Sequence, residues 1–147
     1  MFGYDNAKKE FDEYFKDKSD TRDYTNEYTG ILEGKNVIVI HAESFQDVAL
    51  NRTFNGQEVT PNMNKLIKEG LFFSNFYSQV SVGTSSDTEL TFNTSLMPTQ
   101  NGTAFVSYFD RTYNGTPKFM KEKGYYTFSM HANNADFWNR RAMHESL

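Results

Sequence analysis

The stretch Gly34-Lys35-Asn36-Val37-Ile38-Val39-Ile40-His41-Ala42-Glu43 decides the reading of the fold. Its centre is a continuous β-branched run, the pattern of a strand buried on both faces, as in a parallel sheet covered by helices. His41 and Glu43 follow where such a strand would end. In open α/β sheets that carboxyl edge is where ligands bind.

Working outward, the elements alternate as an α/β fold requires. Thr60-Pro61 followed by Met63, Leu66, Ile67 and Gly70 predicts a helix with an N-cap, a first-turn proline, an apolar stripe and a glycine stop. Residues 71–77 are aromatic and short and predict a second strand. Thr116-Pro117, Phe119, Met120 and Gly124 repeat the helix pattern, and residues 125–130 alternate as a third strand that ends at His131. Residues 99–115 carry the turn signals Asn101-Gly102 and Asn114-Gly115 and read mostly as loop, with a short strand or helix near Phe105. Before the sheet, Phe11, Tyr14 and Phe15 at i, i+3, i+4 spacing predict an amphipathic helix within a polar lead-in and linker, residues 1–30. The α/β part is then expected in residues 31–147.

Between the second strand and the following helix lies Ser81-Val82-Gly83-Thr84-Ser85-Ser86-Asp87-Thr88-Glu89, five hydroxyls and two carboxylates around one glycine. Ser86 and Glu89 have capping-box spacing, which predicts Ser86 as N-cap of a helix running to about Met97, with Pro98 as its stop. Ser85 then lies at the positive end of the helix dipole, a place that attracts anions and suits a hydroxyl nucleophile for phosphoryl transfer. The same residues are also those of an ordinary Ser/Thr-rich turn. His131 has the alternatives of a site residue and a structural one at a strand end. Phe137-Trp138-Asn139-Arg140-Arg141 combines an apolar wall with guanidinium forks that fit phosphate oxygens, or else a Trp at the core margin with solvated arginines.

Composition narrows the classes. A net charge of −4 over 147 residues, with no basic block, argues against nucleic-acid binding. The chain has no cysteine, which excludes disulfides, thiol catalysis and Cys-based zinc sites. No apolar run reaches the roughly 18 residues of a membrane span, and Met1-Phe2-Gly3-Tyr4 lacks the regions of a signal peptide, so the chain as written reads as soluble. Four Asn-x-Ser/Thr triplets, from Asn51, Asn93, Asn101 and Asn114, read as coincidence in an Asn- and Thr-rich sequence.

Taken together, Gly34 to Ile38, Glu43-Ser44-Phe45-Gln46, Asn55 to Pro61, Gly83 to Glu89, His131 and Phe137-Trp138-Asn139-Arg140 make the chain resemble the lipoteichoic acid synthase family, phosphoglycerol transferases of the sulfatase and alkaline phosphatase superfamily. The resemblance implies the N-terminal part of a sulfatase-like α/β domain, a mostly parallel sheet flanked by helices, truncated at its C-terminal end. It makes Ser85 the nucleophile and a metal ligand, although the family has threonine there and Thr84, one place earlier, is the alternative. It makes Glu43 a metal ligand and His131, Trp138 and Arg140 contacts to a glycerol phosphate headgroup. Further implications are a divalent ion, manganese favoured and magnesium possible, a phosphatidylglycerol donor, a glycerol phosphate polymer acceptor and a covalent glycerophosphoryl enzyme. The expected location is the extracellular face of the bacterial cell membrane, with anchoring only in the full-length protein. The family's Asp-His ligand pair does not occur in the sequence, so the fragment alone is expected to be inactive, to bind metal weakly at most and to be prone to self-association. Alternatives are a non-catalytic relative that binds the polymer or a cell-wall partner, and a sulfatase or phosphodiesterase of the same superfamily; the short Pro- and Arg-containing sulfatase signature is missing after Ser85.

Overall fold

A computed structural model describes residues 3–17 and 24–147, which fall into two compact units, 1–39 and 40–147. The part of the expected linker at 18–23 lies outside the described residues. In the first unit, α1 (Tyr4–Asp17) forms where the apolar spacing places it. Phe11 and Phe15 bring their rings to 4.4 Å on one face, while Lys9 and Glu13 pair across one exposed turn at 3.7 Å.

The second unit opens on a short hairpin of β1 (Thr53–Phe54) and β2 (Gln57–Glu58), paired antiparallel. Its turn is Asn55-Gly56, with φ of 49° and 79°, the positive values that a two-residue turn matching strand twist requires. Helix α2 (Pro61–Glu69) follows, with Thr60 at the N-cap position. The Thr60 hydroxyl does not cap the helix: it lies 3.0 Å from both the Ala49 carbonyl and Asn64 Oδ1, which share its one proton. Buried Asn64 also accepts from the Asn51 N–H at 2.8 Å and donates to Glu58 Oε2 at 2.9 Å, which binds the hairpin to α2.

The core lies further along. Helices α3 (Ser85–Thr94), α4 (Ala104–Ser107) and α6 (Arg140–Ser146) contribute Leu90, Ala104, Phe105 and Met143, joined by Tyr113 and Leu147, while α5 (Thr116–Glu122) packs against α3 without a buried residue of its own. Helix α4 packs between α3 and a 3-10 turn at Phe137–Asn139. The 99–115 segment, expected as mostly loop, thus supplies the centre of the core through a single turn of helix at Phe105, which is 1% exposed.

Two boundaries of α3 differ from expectation. The N-cap is Thr84 rather than Ser86, and the helix stops at Ser95, in the left-handed region at φ 60°, before Pro98 is reached. The Thr94 hydroxyl, bonded to the Leu90 carbonyl at 2.7 Å, and the Ser95 N–H, bonded to Thr91, satisfy the last turn locally.

The stretches expected as strands, 37–40, 71–77 and 125–130, carry no ladder among the described residues. Their large side chains are open to solvent, as at Ile38, Phe73 and Tyr126. β-branched and aromatic residues favour the extended form, but a ladder needs a neighbour in register, and sheet preference is realised only with that neighbour.

Candidate functional site

The turn into α3 is built around Asp87, which is fully buried. Its Oδ2 accepts from the N–H of Ser81 at 2.9 Å and of Gly83 at 3.0 Å, so the carboxylate folds the preceding loop back on the helix. A Cβ on Gly83 would lie 2.2 Å from Asp87 Oδ1 and 2.6 Å from Thr103 Oγ1, so this position admits only glycine. Ser86 is buried as well, donating to the Gly83 carbonyl at 2.7 Å and meeting Thr103 Oγ1 at 3.0 Å. Ser86 and Asp87 are therefore spent on the turn, and Glu89 does not close a capping box; its carboxylate turns instead to His144.

The chain passes into the helix through Thr84 at φ 46° and ψ −110°, a left-handed conformation that costs a β-branched residue on the order of 1–3 kcal/mol. The next residue, Ser85, begins the helix, half-buried. Its hydroxyl donates to Glu43 Oε1 at 2.7 Å. Two residues 42 positions apart thus meet, each chosen from sequence for the same chemistry. Thr84 is exposed and its side chain does not cap the helix.

The other expected residues lie on the 131–141 segment. His131 is exposed, and its Nδ1 accepts from the Asn133 N–H at 2.9 Å. The side chains of Asn133 and Asn134 take the N–H groups of Asn134 and Asp136, winding the loop into successive tight turns. Trp138 and Asn139 both adopt left-handed φ, 56° and 53°. Asn139 Nδ2 donates to the Phe105 carbonyl at 2.8 Å and ties the turn to the core, while the Trp138 indole stays 43% exposed. Arg140, half-buried at the start of α6, has its Nε enclosed without a hydrogen-bond partner and one Nη 3.4 Å from the Phe137 carbonyl.

One residue of this region escaped the sequence reading. His144 Nε2 contacts Glu89 Oε1, and its Nδ1 lies 2.9 Å from Ser129 Oγ. Burial pushes the Glu89 carboxyl up, but the His144 hydrogen bond and the positive charges of His144, Arg140 and His41 outweigh it and hold the group below the ordinary glutamate range. The signal available in sequence was spacing alone: His144 is one helical turn from Arg140.

Among the described residues, no group of three His, Cys, Asp or Glu side chains converges as a metal site. Glu43 and Ser85 supply adjacent oxygen donors of the kind hard divalent cations take, part of a set of about six. Among the described residues no helix is long and apolar enough to cross a membrane.

The Sulfatase family profile matches residues 35–146. The lipoteichoic acid synthase of Staphylococcus aureus (strain USA300) is 42% identical over 118 residues, covering 78% of this chain and 18% of that protein. Lipoteichoic acid synthase 1 of Bacillus subtilis (strain 168) is 39% identical over 125 residues, 82% of this chain and 20% of that protein. Among solved structures, the lipoteichoic acid synthase LtaP from Listeria monocytogenes superposes with a TM-score of 0.78 at 32% identity, over 82% of this chain and 29% of that one. The chain thus spans about a fifth of the length of these curated relatives. The α/β, sulfatase-like architecture expected from residues 34–43 is borne out by this likeness. The chain belongs to the Sulfatase family, and within it is similar to the lipoteichoic acid synthases.

Proposed function

We propose that the protein carrying this chain is a phosphoglycerol transferase that moves glycerol phosphate from phosphatidylglycerol to a lipoteichoic acid chain, with Ser85 as nucleophile. The observation that carries this reading is the 2.7 Å hydrogen bond from Ser85 Oγ to Glu43, made at the first residue of a ten-residue helix and directly after a strained turn. Glu43 orients the hydroxyl, and the helix end faces the charge of an incoming phosphate. Ser85 Oγ attacks phosphorus, the bond from phosphorus to the diacylglycerol oxygen breaks, and diacylglycerol leaves with the hydroxyl proton. The terminal hydroxyl of the acceptor then attacks the glycerophosphoryl serine, and Ser85 recovers its proton.

Glu43 and Ser85 would hold a divalent cation, manganese favoured and magnesium possible, which when bound favours the ionised hydroxyl and offsets charge on the phosphoryl oxygens. Arg140 grips phosphate oxygens through its fork, His131 donates to the headgroup and the exposed Trp138 indole walls it. The relatives' names support a part in making lipoteichoic acid; the lipid donor and the outer face of the bacterial membrane belong to the proposal.

The test is headgroup release from phosphatidylglycerol by the complete protein, with mass spectrometry of the trapped intermediate. Ser85→Ala should lower turnover by on the order of 10³-fold or more and abolish a glycerophosphoryl adduct on the Ser85 peptide, while Thr84→Ala keeps most activity. Activity lost in Thr84→Ala and retained in Ser85→Ala would move the nucleophile by one residue. Release absent from the unsubstituted protein would leave a polymer-binding role instead. Arg140→Lys should already weaken turnover, because an ammonium cannot make the paired contact.

A further inference from the structure

Helix α3 carries Ser85 and, one turn later on the same face, Glu89; helix α6 carries Arg140 and, one turn later, His144. The two later residues meet. His144 Nε2 contacts Glu89 Oε1, with each side chain about three quarters withdrawn from solvent at 23% and 25% exposure. Ser129 Oγ holds the opposite ring nitrogen at 2.9 Å, so the imidazole is fixed in plane and direction. The Phe105 ring stands nearly perpendicular to it, with ring centroids 6.2 Å apart.

We infer that Glu89 is a positioning residue: through His144 it sets α6, and with it the Arg140 guanidinium, against the helix that begins at Ser85. The inference rests on the transferase reading above. Glu89 is bonded to His144 rather than to Arg140, which leaves the arginine fork for phosphate while the carboxylate still lies within electrostatic reach. A nucleophile and an anion clamp on separate helices need such a brace, since a displacement of about 1 Å between them can cost on the order of a hundred-fold in rate.

The experiment is a two-background comparison in the complete protein, measuring headgroup release from phosphatidylglycerol in phosphatidylcholine vesicles with Mn²⁺. Glu89→Ala and His144→Ala should each lower kcat roughly ten- to a hundred-fold with little change in KM, and should have almost no further effect once Arg140 is already alanine. Glu89→Gln, which keeps the acceptor oxygen for His144, should recover most of the lost rate. Equal losses in both backgrounds, accompanied by a lower melting temperature, would show that the pair merely supports the fold and would overturn the inference. So would an unchanged kcat in Glu89→Ala. Should Glu89→Ala fail to fold, the same comparison with His144→Ala and Glu89→Gln decides. If instead the unsubstituted protein releases no headgroup, the transferase reading fails and takes the inference with it.

Discussion

Residues 81–107 and residues 125–130 are both rich in the residue types their expected structures need, yet the structure treats them differently. In the first, the polar groups of the turn find partners a few positions away: Asp87 with Ser81 and Gly83, Ser86 with Gly83, Thr94 with Leu90. Leu90, Ala104 and Phe105 then seal the region from below. In the second, Tyr126, Phe128 and Met130 are each more than two-thirds exposed, and the backbone carries no ladder. Local hydrogen bonding can complete a capped turn; a strand is completed only by another strand.

The sharpest test of that contrast compares two phenylalanines by denaturant unfolding. Phe105→Ala should cost about 3–5 kcal/mol, because the ring is buried and leaves a cavity. Phe128→Ala, at a side chain 68% exposed, should stay within about 0.5 kcal/mol. A comparable loss at Phe128 would show that the extended segment is packed in solution and would erase the distinction.

Next in size is Gly83→Ala, which places a methyl group 2.2 Å from Asp87 Oδ1. Asp87 and Thr103 are both buried there and have little room to yield, so a loss of about 1–3 kcal/mol is expected from the same unfolding curves. A neutral result would mean that the Asp87 turn is looser than its hydrogen bonds imply.

The smallest effect expected is at low pH. Glu89 is held below the ordinary glutamate range when folded, so it releases its proton more readily in the folded state. Its contribution to stability is fully present above the unfolded glutamate pKa and is lost as pH falls through the folded value. Acid unfolding of Glu89→Gln should therefore start from a lower stability at neutral pH and show a shallower decline through that window; parallel curves would remove Glu89 from the pH response.

These contrasts also explain what could be read from the residues. Helix α1 was legible from its apolar spacing alone, and α2 and α5 from a Thr-Pro start and a glycine stop around such a pattern, as in Thr60-Pro61 to Gly70, although in α5 Gly115 rather than Thr116 takes the N-cap position. The start of α3 was misplaced by two residues: Ser86 and Glu89 have the spacing of a capping box, yet Asp87, withdrawn from solvent, competes successfully for the loop N–H groups. The Asn55-Gly56 hairpin carried a plain turn signal but only two residues of strand on either side, too short for alternation to show. Pairing of Ser85 with Glu43 was foreshadowed by family motifs, whereas the Glu89 to His144 contact spans 55 positions and has no local pattern to announce it.

The Asn139 side chain, donating to the Phe105 carbonyl, has a dynamic consequence. Local opening of a protein proceeds in cooperative units, and a segment fastened to a buried backbone group cannot open alone. The turn bearing Trp138 is fastened in this way to the helix that fills the core beneath α3. Amide exchange in residues 137–140 should accordingly keep pace with that of residues 104–107 rather than with the exposed loop from 131 to 135. The proposed headgroup side then breathes in step with its foundation, and motion that frees the indole also loosens the floor under Ser85, the proposed nucleophile.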